Sequence, residues 1–233
     1  MAHDLINPFN TLIGFSSLLK ESIKENEVGK LEKYTDIINT VSNRTFRLLE
    51  NLLEWSRSQT NTIEYKPQRL NINESITDII SLFDDIKTKK SIEIIINFQS
   101  EIIVFADLNM VKTVVRNLLS NAVKFTENGT ITITSKTENN HCIVHIKDTG
   151  MGISNHDLDN LFKIDISTST YGTDGEKGTG IGLILCKEFI DKNKGEISVQ
   201  SEKGAGSTFT FSLPLYVEKK LEKQTLEPAP KRR

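Results

Sequence analysis

Two runs of regularly spaced apolar positions open the chain. The first predicts a helix, because its seam positions alternate in steps of four and three, a period of 3.5 residues. They are Leu5, Phe9, Leu12, Ser16, Leu19 and Ile23. A charged, glycine-containing break over residues 25–29 separates this helix from a second one. The second seam consists of Leu31, Tyr34, Ile38, Val41, Thr45, Leu48, Leu52 and Trp55. One antiparallel hairpin by itself does not bury the apolar residues of both seams. We therefore expect two copies to form a four-helix bundle, and so a homodimer.

The pattern changes after residue 70 to short strands alternating with helices. A helix is predicted over 74–87, capped by Asn73, and a second one follows a cap at Asp107. Strands are predicted near 91–98, 102–105, 130–137, 142–147, 196–201 and 207–214. This order predicts a two-layer α/β sandwich with helices on one face of a mixed sheet.

These patterns divide the chain into four parts. The helical hairpin takes residues 1–60, and the α/β sandwich takes residues 71–216. Between them, residues 61–70 form a polar, proline-broken linker that we interpret as a hinge. Residues 217–233 are charged and rich in proline, which predicts a disordered tail. The fold class is therefore α+β and multidomain.

One predicted helix carries a polar face beside its aliphatic stripe. At about 100° per residue, Asn117, Asn121 and Lys124 fall within roughly 60° of one another. Two carboxamides and an ammonium suit Mg-ATP, because Mg²⁺ takes oxygen ligands and an ammonium can meet a phosphate. A solvated polar face is the alternative for this helix taken alone.

Two glycine-rich turns add to the nucleotide interpretation. Residues 148–152 read DTGMG and follow a strand, so Asp148 can accept a hydrogen bond from an adenine amino group where Gly150 and Gly152 let the backbone pass close. Residues 178–183 read GTGIGL and open a helix. The free N–H groups at that helix start would face phosphate. Each turn alone is a weak signal, whereas all three segments in this order form a strong one.

At this point the chain resembles the transmitter region of a two-component sensor histidine kinase, over about residues 2–215. The three segments resemble that family's N, G1 and G2 boxes, residues 160–163 its F box, and residues 204–209 its last glycine box. The resemblance implies that Asn121 ligates Mg²⁺, that Asp148 selects adenine, and that roughly residues 163–177 cover ATP. It also implies that further residues bind ATP, namely Asn117, Lys124, Phe162, Lys177, Gly178, Gly180, Gly182 and Thr208. Residues 163–165, Lys-Ile-Asp, depart from the commoner acidic-Pro-Phe continuation of the F box.

Residues 3–9, HDLINPF, resemble the family's H box. Because His3 lies two positions before the seam position Leu5, its imidazole is expected to point out of the bundle. The resemblance implies that His3 accepts the phosphoryl group, that Asp4 orients it and takes up its proton, and that Asn7 positions water for dephosphorylating a partner. Pro8 should kink the first helix. The partner would be the receiver domain of a response regulator.

Alternatives from other classes remain at this stage. A degenerate kinase could bind nucleotide and act as a dimeric scaffold, which the F-box departure favours. Related ATPases of the gyrase and chaperone group carry a glutamate where this chain has Asn117, and a carboxamide is not able to act as the base for hydrolysis. A protein serine kinase of the same nucleotide fold is a more distant alternative.

Composition limits the partners and the location that the chain is expected to have. The net charge of −2 gives no indication of nucleic-acid binding. Since no apolar run approaches the ~18–20 residues of a membrane span, we expect no membrane contact by these residues. The only two cysteines, Cys142 and Cys186, stand in unlike contexts, which fits a cytoplasmic location. Because His3 follows Met1 so closely, we expect the chain to be part of a longer protein, which could be anchored in a membrane.

Overall fold

The computed structural model describes residues 2–60, 63–163, 172–173 and 180–218, with the side chains of residues 2–5, 47, 58 and 59 excepted. The helices are α1 (Ala2–Lys24), α2 (Val28–Gln59), α3 (Ile72–Ile80), α4 (Asp84–Lys89), α5 (Leu108–Phe125), α6 (Asn155–Leu158) and α7 (Gly182–Lys192). The strands are β1 (Pro67–Asn71), β2 (Glu93–Phe98), β3 (Ile103–Asp107), β4 (Thr130–Glu138), β5 (His141–Asp148), β6 (Ile197–Glu202) and β7 (Gly206–Pro214).

The first two helices form the predicted antiparallel hairpin. Along α2 the predicted seam faces α1, and its Thr45 and Leu48 are buried. In α1 the predicted seam was wrong at Phe9, Ser16 and Ile23, which are exposed. At these positions the face of α1 that packs on α2 is shifted by one residue, to Phe15, whose ring lies 5.7 Å from that of Tyr34, and to the buried Ser22.

The chain turns at Asn26, which adopts a left-handed φ of 58°. Gly29, predicted to lie in the break, instead lies within α2. The helix α1 continues through Pro8.

A second apolar face of the hairpin remains exposed. At the start of α1 and near the end of α2, large apolar residues recur in steps of three and four, so each set lies on one helix face. These residues are Ile6, Phe9, Ile13, Phe46, Leu49 and Leu53. Because the helices are antiparallel, both sets lie at the same end of the hairpin. Of the six, only Phe9 belongs to a predicted seam.

A two-stranded antiparallel sheet lies at the start of the second domain. It pairs β1 with β3, and an isolated bridge joins Val104 to Leu215. The range predicted as linker therefore includes a strand, since β1 begins at Pro67. The preceding residue, Lys66, is also held, because its main-chain nitrogen donates to Asp107 Oδ2 at 2.9 Å.

The helix predicted over 74–87 is shorter and begins earlier. Its N-cap is Asn71, whose side chain accepts hydrogen bonds from the nitrogens of Asn73 and Glu74. The predicted cap, Asn73, instead donates to Gln99 O at 3.1 Å. A 3₁₀ turn over Ser81–Phe83 separates α3 from α4. Asparagine caps efficiently in either position, so tertiary contacts decided between the two.

The main sheet confirms the predicted mixed, two-layer arrangement. Its strand order is β2-β4-β5-β7-β6, with β2 parallel to β4 and the other pairs antiparallel. The β4–β5 hairpin turns at Asn139 and Asn140, both with positive φ. On one face of the sheet, α3, α5 and α7 enclose a core that includes Val115, Leu118, Ile146, Leu185 and Phe211. As predicted, Asp107 caps α5 by accepting from the nitrogens of Asn109 and Met110.

The end of the hairpin packs against the second domain. Helix α2 contacts α7, and the partly buried Trp55 lies against the core of the sandwich. The indole Nε1 of Trp55 and the Oε2 of Glu54 are buried and have no hydrogen-bond partner within the described ranges. Burial raises the pKa of Glu54, and the positive charge of Arg116 on α5 opposes that rise.

Candidate nucleotide-binding site

The polar face of α5 lies beside the start of α7. Asn117 and Asn121 are half-buried, and Asn117 Nδ2 is buried with no hydrogen-bond partner among the described residues. A Cβ built on Gly182 would lie 3.0 Å from Asn117 Oδ1. The first N–H groups of α7, which are unpaired within that helix, therefore lie close to the carboxamide. Such a combination suits an anionic ligand.

Lys124 completes this face one turn later. Its ammonium lies 4.4 Å from the centroid of the Phe125 ring. Lys124 follows Asn121 by three residues, so both side chains emerge from the same side of α5. The structure therefore brings the three predicted residues of this helix to one surface.

Asp148 lies at the end of β5, buried with 4% of its surface exposed. Its Oδ1 accepts hydrogen bonds from Gly150 N at 2.9 Å and from Ser207 N at 3.2 Å. Burial raises the pKa of the Asp148 carboxyl, and these two bonds oppose the rise. Both bonds go to one oxygen, so in the described part of the chain Oδ2 is left for a ligand that donates a hydrogen bond.

The turn after Asp148 is packed too tightly for a side chain. A Cβ built on Gly150 would overlap the carbonyl oxygen of Phe125, the last residue of α5. The same carbonyl accepts a hydrogen bond from Met151 N at 3.1 Å. Glycine at position 150 therefore permits the contact that joins this turn to the end of the polar helix. The next predicted glycine, Gly152, adopts a φ of 64°.

Ser207 contacts Asp148, although Thr208, its neighbour in the last glycine box, was the residue predicted to bind ATP. It pairs with Asp148 across β5 and β7, and it is buried with 7% exposed. Its neighbour Gly206 has a φ of 93°, and a Cβ there would overlap the main chain of Asp148. The sequence contained a signal for Ser207. It lies two residues before Phe209 and four before Phe211, so its side chain points to the same face of β7 as these core residues.

Thr208, predicted to bind ATP, lies on the opposite face of the sheet. It pairs with Lys147 and Gln200 there and lines a shallow groove of about 450 Å³. Because successive side chains of a strand point to opposite faces, this groove lies on the face of the sheet opposite to the Asp148 side chain. The assignment of Thr208 to the nucleotide site was wrong, and Ser207 takes its place.

The structure describes only some of the other predicted residues. Gly180 has a φ of 72°, two residues before the start of α7, and Phe162 is half-buried after α6. Lys177 and Gly178 lie outside the described residues. Asn7 is exposed on α1. His3 and Asp4 lie within the same helix, but their side chains are outside the described part.

Comparison with known proteins matches two family models to the two parts of the chain. Residues 106–217 match the family model described as "Histidine kinase-, DNA gyrase B-, and HSP90-like ATPase". Residues 1–61 match the "His Kinase A (phospho-acceptor) domain". The second match separates the kinases from the gyrase and chaperone ATPases. The chain belongs to the two-component sensor histidine kinases. It comprises the transmitter region of that family, as the resemblance in the sequence implied.

Several kinases in this family resemble the chain over most of its length. It is 30% identical over 223 residues to the autoinducer 2 sensor kinase/phosphatase LuxQ of Vibrio vulnificus, covering 92% of this chain and 26% of LuxQ. It is 28% identical over 218 residues to the sensor histidine kinase RcsC of Escherichia coli, covering 93% of this chain and 23% of RcsC. The chain thus spans about a quarter of the length of these relatives.

Solved structures show the same architecture. Histidine kinase ThkA in complex with the response regulator protein TrrA is 27% identical with a TM-score of 0.73, covering 94% of this chain and 61% of that one. Histidine kinase AdeS of Acinetobacter baumannii also has a TM-score of 0.73, covering 91% of this chain and 98% of that one, at 20% identity. The second comparison shows the fold alone.

Two searches of the described residues bear on ligands and membranes. They contain no group of three His, Cys, Asp or Glu side chains placed to hold a metal ion. None of the described helices is both long and apolar enough to cross a membrane.

Proposed function

We propose that this transmitter region transfers the γ-phosphoryl group of ATP to His3 and then to an aspartate of a response-regulator receiver domain. The observation that carries the proposal is the buried Asp148 carboxylate, held through one oxygen by Gly150 and Ser207. Its other oxygen can accept from the adenine amino group. A guanine base presents a carbonyl at that place, which would repel the carboxylate.

The neighbouring groups fit the phosphates of ATP and Mg²⁺. The orphaned amide of Asn117 and the start of α7 favour anionic oxygens, and Lys124 adds a positive charge. We propose that Lys177, Gly178 and Gly180 contact the same phosphates and that Phe162 borders the site. Mg²⁺ needs few protein ligands when phosphate and water complete its shell, so the Asn121 oxygen suffices. The ion would neutralise charge on the phosphates.

The transfer steps follow from the chemistry of imidazole. A neutral ring nitrogen of His3 attacks the γ-phosphorus, the bond from that phosphorus to the bridging oxygen breaks, and ADP leaves with the electron pair. Asp4 takes up the imidazole proton. A carboxylate oxygen of the receiver aspartate then attacks the phosphorus, and the N–P bond to His3 breaks. The family resemblance and the complex of ThkA with TrrA support this partner.

We propose that Asn7 orients water for dephosphorylating the same regulator. Asn7 lies one helical turn after His3 on α1 and is exposed, so a receiver domain docked there could reach both residues. The relative LuxQ is named a sensor kinase/phosphatase.

We further propose that the chain acts as a homodimer. The exposed apolar residues at one end of the hairpin, among them Phe9 and Leu49, leave a face that a second hairpin can cover. A cytoplasmic location, where ATP is available and thiols stay reduced, fits the two free, buried cysteines. The division into 1–60, 61–70, 71–216 and 217–233, with 61–70 as the hinge linker, remains part of the proposal.

Incubation with γ-labelled ATP and Mg²⁺ tests the proposal. Label that is acid-labile and base-stable should appear on the wild type and on His156→Gln, a control at an exposed histidine. It should be absent from His3→Gln and from Asn121→Asp. ATP binding without label would favour the dimeric scaffold, and steady phosphate release without labelled protein would favour the hydrolytic ATPases. Either result would overturn the proposed transfer.

A further inference from the structure

A buried lysine outside the predicted site lies at the far end of the polar helix. Lys90 directly follows α4, and only 8% of its surface is exposed. Its main-chain oxygen accepts a hydrogen bond from Asn128 N at 3.0 Å. A buried ammonium loses much of its hydration, so the side chain needs polar partners at its tip.

Those partners belong to two separate parts of the chain. Lys90 Nζ donates to Thr173 Oγ1 at 2.7 Å and to the carbonyl oxygen of Lys124 at 3.4 Å. Thr173 also donates to the Lys124 oxygen, through its main-chain nitrogen at 3.1 Å and its hydroxyl at 3.3 Å. The lysine, the threonine and the carbonyl therefore form a closed triangle.

This triangle lies next to the turn that holds Asp148. The carbonyl of Lys124 anchors Thr173, and the next carbonyl, that of Phe125, accepts from Met151 N in the Asp148–Gly152 turn. Two consecutive carbonyls at the end of α5 thus hold Thr173 and the Asp148–Gly152 turn. A positive charge is favourable at this helix end, where the backbone dipole is negative.

We infer that Lys90 is a positioning residue for nucleotide binding, which acts by fixing Thr173 and the last turn of α5 against each other. Its ammonium contacts Thr173 and the Lys124 carbonyl and is not proposed to contact adenine or phosphate. It affects nucleotide binding indirectly, by holding in place the backbone that carries Lys124 and the backbone next to the Asp148 turn. The inference rests on the proposed ATP site.

Calorimetric titration with Mg-AMPPNP, an ATP analogue, tests it on the full chain. Lys90→Met and Thr173→Val should each raise the Kd by roughly three- to tenfold, because a positioning contact passes only part of the free energy of a charge-assisted hydrogen bond to the bound nucleotide. The loss in the double variant should be smaller than the sum of the two single losses, because both changes remove the Lys90–Thr173 bond, while each also removes its own bond to the Lys124 oxygen. Thr173→Ser, which keeps the hydroxyl, and Lys89→Met, at the exposed neighbour, should bind like the wild type.

The outcomes separate the possible failures. Thr173→Val preserves shape, so it tests the contact even if Lys90→Met unfolds. An unchanged Kd in Thr173→Val, or additive losses in the double variant, would overturn the positioning role while leaving the ATP site intact. Failure of the wild type to bind Mg-AMPPNP would overturn the proposed site, and this inference with it.

Discussion

Ser207 N donates a 3.2 Å hydrogen bond to Asp148 Oδ1, and these residues also face each other as register partners in β7 and β5. The bond fixes one carboxylate oxygen from the neighbouring strand, while Gly150 fixes the same oxygen from the turn. The carboxylate is thereby oriented before any nucleotide arrives. Such preorganisation lowers the ordering cost that binding would otherwise incur.

Replacing Asp148 with asparagine should separate binding from stability. In Asp148→Asn the carboxamide oxygen could still accept both main-chain bonds, but the NH₂ group would face the adenine amino group. We expect ATP affinity to fall roughly 10- to 100-fold. Isothermal titration would measure the loss, and Asp159→Asn, at an exposed aspartate, is the matched control.

The same variant should be more stable without nucleotide at neutral pH. Burial raises the folded-state pKa of Asp148 above its ordinary value of 3.8, so the folded state binds more protons than the unfolded state across that interval. Stability contributed by this group is therefore lost as pH rises through the folded pKa. Thermal unfolding should show a higher Tm for Asp148→Asn at pH 7. A lower Tm would contradict this assignment of the pKa shift.

Gly150 should tolerate no side chain. In Gly150→Ala the Cβ would overlap the Phe125 carbonyl, which we expect to lower the free energy of unfolding by about 1–3 kcal/mol. In contrast, Gly14→Ala should raise it by about 0.5–1 kcal/mol, because nothing lies near that Cβ within α1. Chemical denaturation of both variants measures the contrast. Equal effects would show that Gly150 is not packed against α5.

Contact between the hairpin and the sandwich should depend on pH through Glu54. Its pKa is raised by burial, so the contact favours the protonated form and should strengthen as pH falls through that raised pKa. Trp55, the single tryptophan, adjoins Glu54 and reports the contact by its fluorescence. The emission should shift to shorter wavelength as pH falls.

In Glu54→Gln that fluorescence shift should be absent, with the short-wavelength emission present throughout. Glu32→Gln, at an exposed glutamate on α2, should titrate like the wild type. A pH-dependent shift that survives in Glu54→Gln would assign the effect to another group.

A charge on the exposed apolar face of the hairpin should dissociate the dimer. Leu49→Glu would bury a carboxylate from each copy near the two-fold axis, and we expect the dimer Kd to rise roughly 100-fold. Thr40→Glu places the same charge on another face of α2 and should leave the dimer intact. Light scattering over a concentration series measures both. A dimeric Leu49→Glu variant would exclude this face.

Local patterns were sufficient for much of the site. The three polar residues of α5 lie on one face because the helical period sets their angles, whatever surrounds the helix. Strand β5 ends at Asp148, where the alternating apolar positions stop and the glycine turn begins. The cap at Asp107 and the turn at Asn139 and Asn140 follow equally from local hydrogen bonding and allowed φ values.

Other features depended on which helices, strands and segments pack against one another. The choice of Ser207 over Thr208 follows from the register of β7 on β5, strands that lie 59 residues apart at the Asp148 contact. The link from Lys90 to Thr173 spans 83 residues. The amino-acid sequence by itself determined which side chains share a face of a helix or strand, since that depends on chain geometry alone. Only the tertiary structure decided which faces oppose one another, because pairing between distant strands and segments depends on the packing of the whole core.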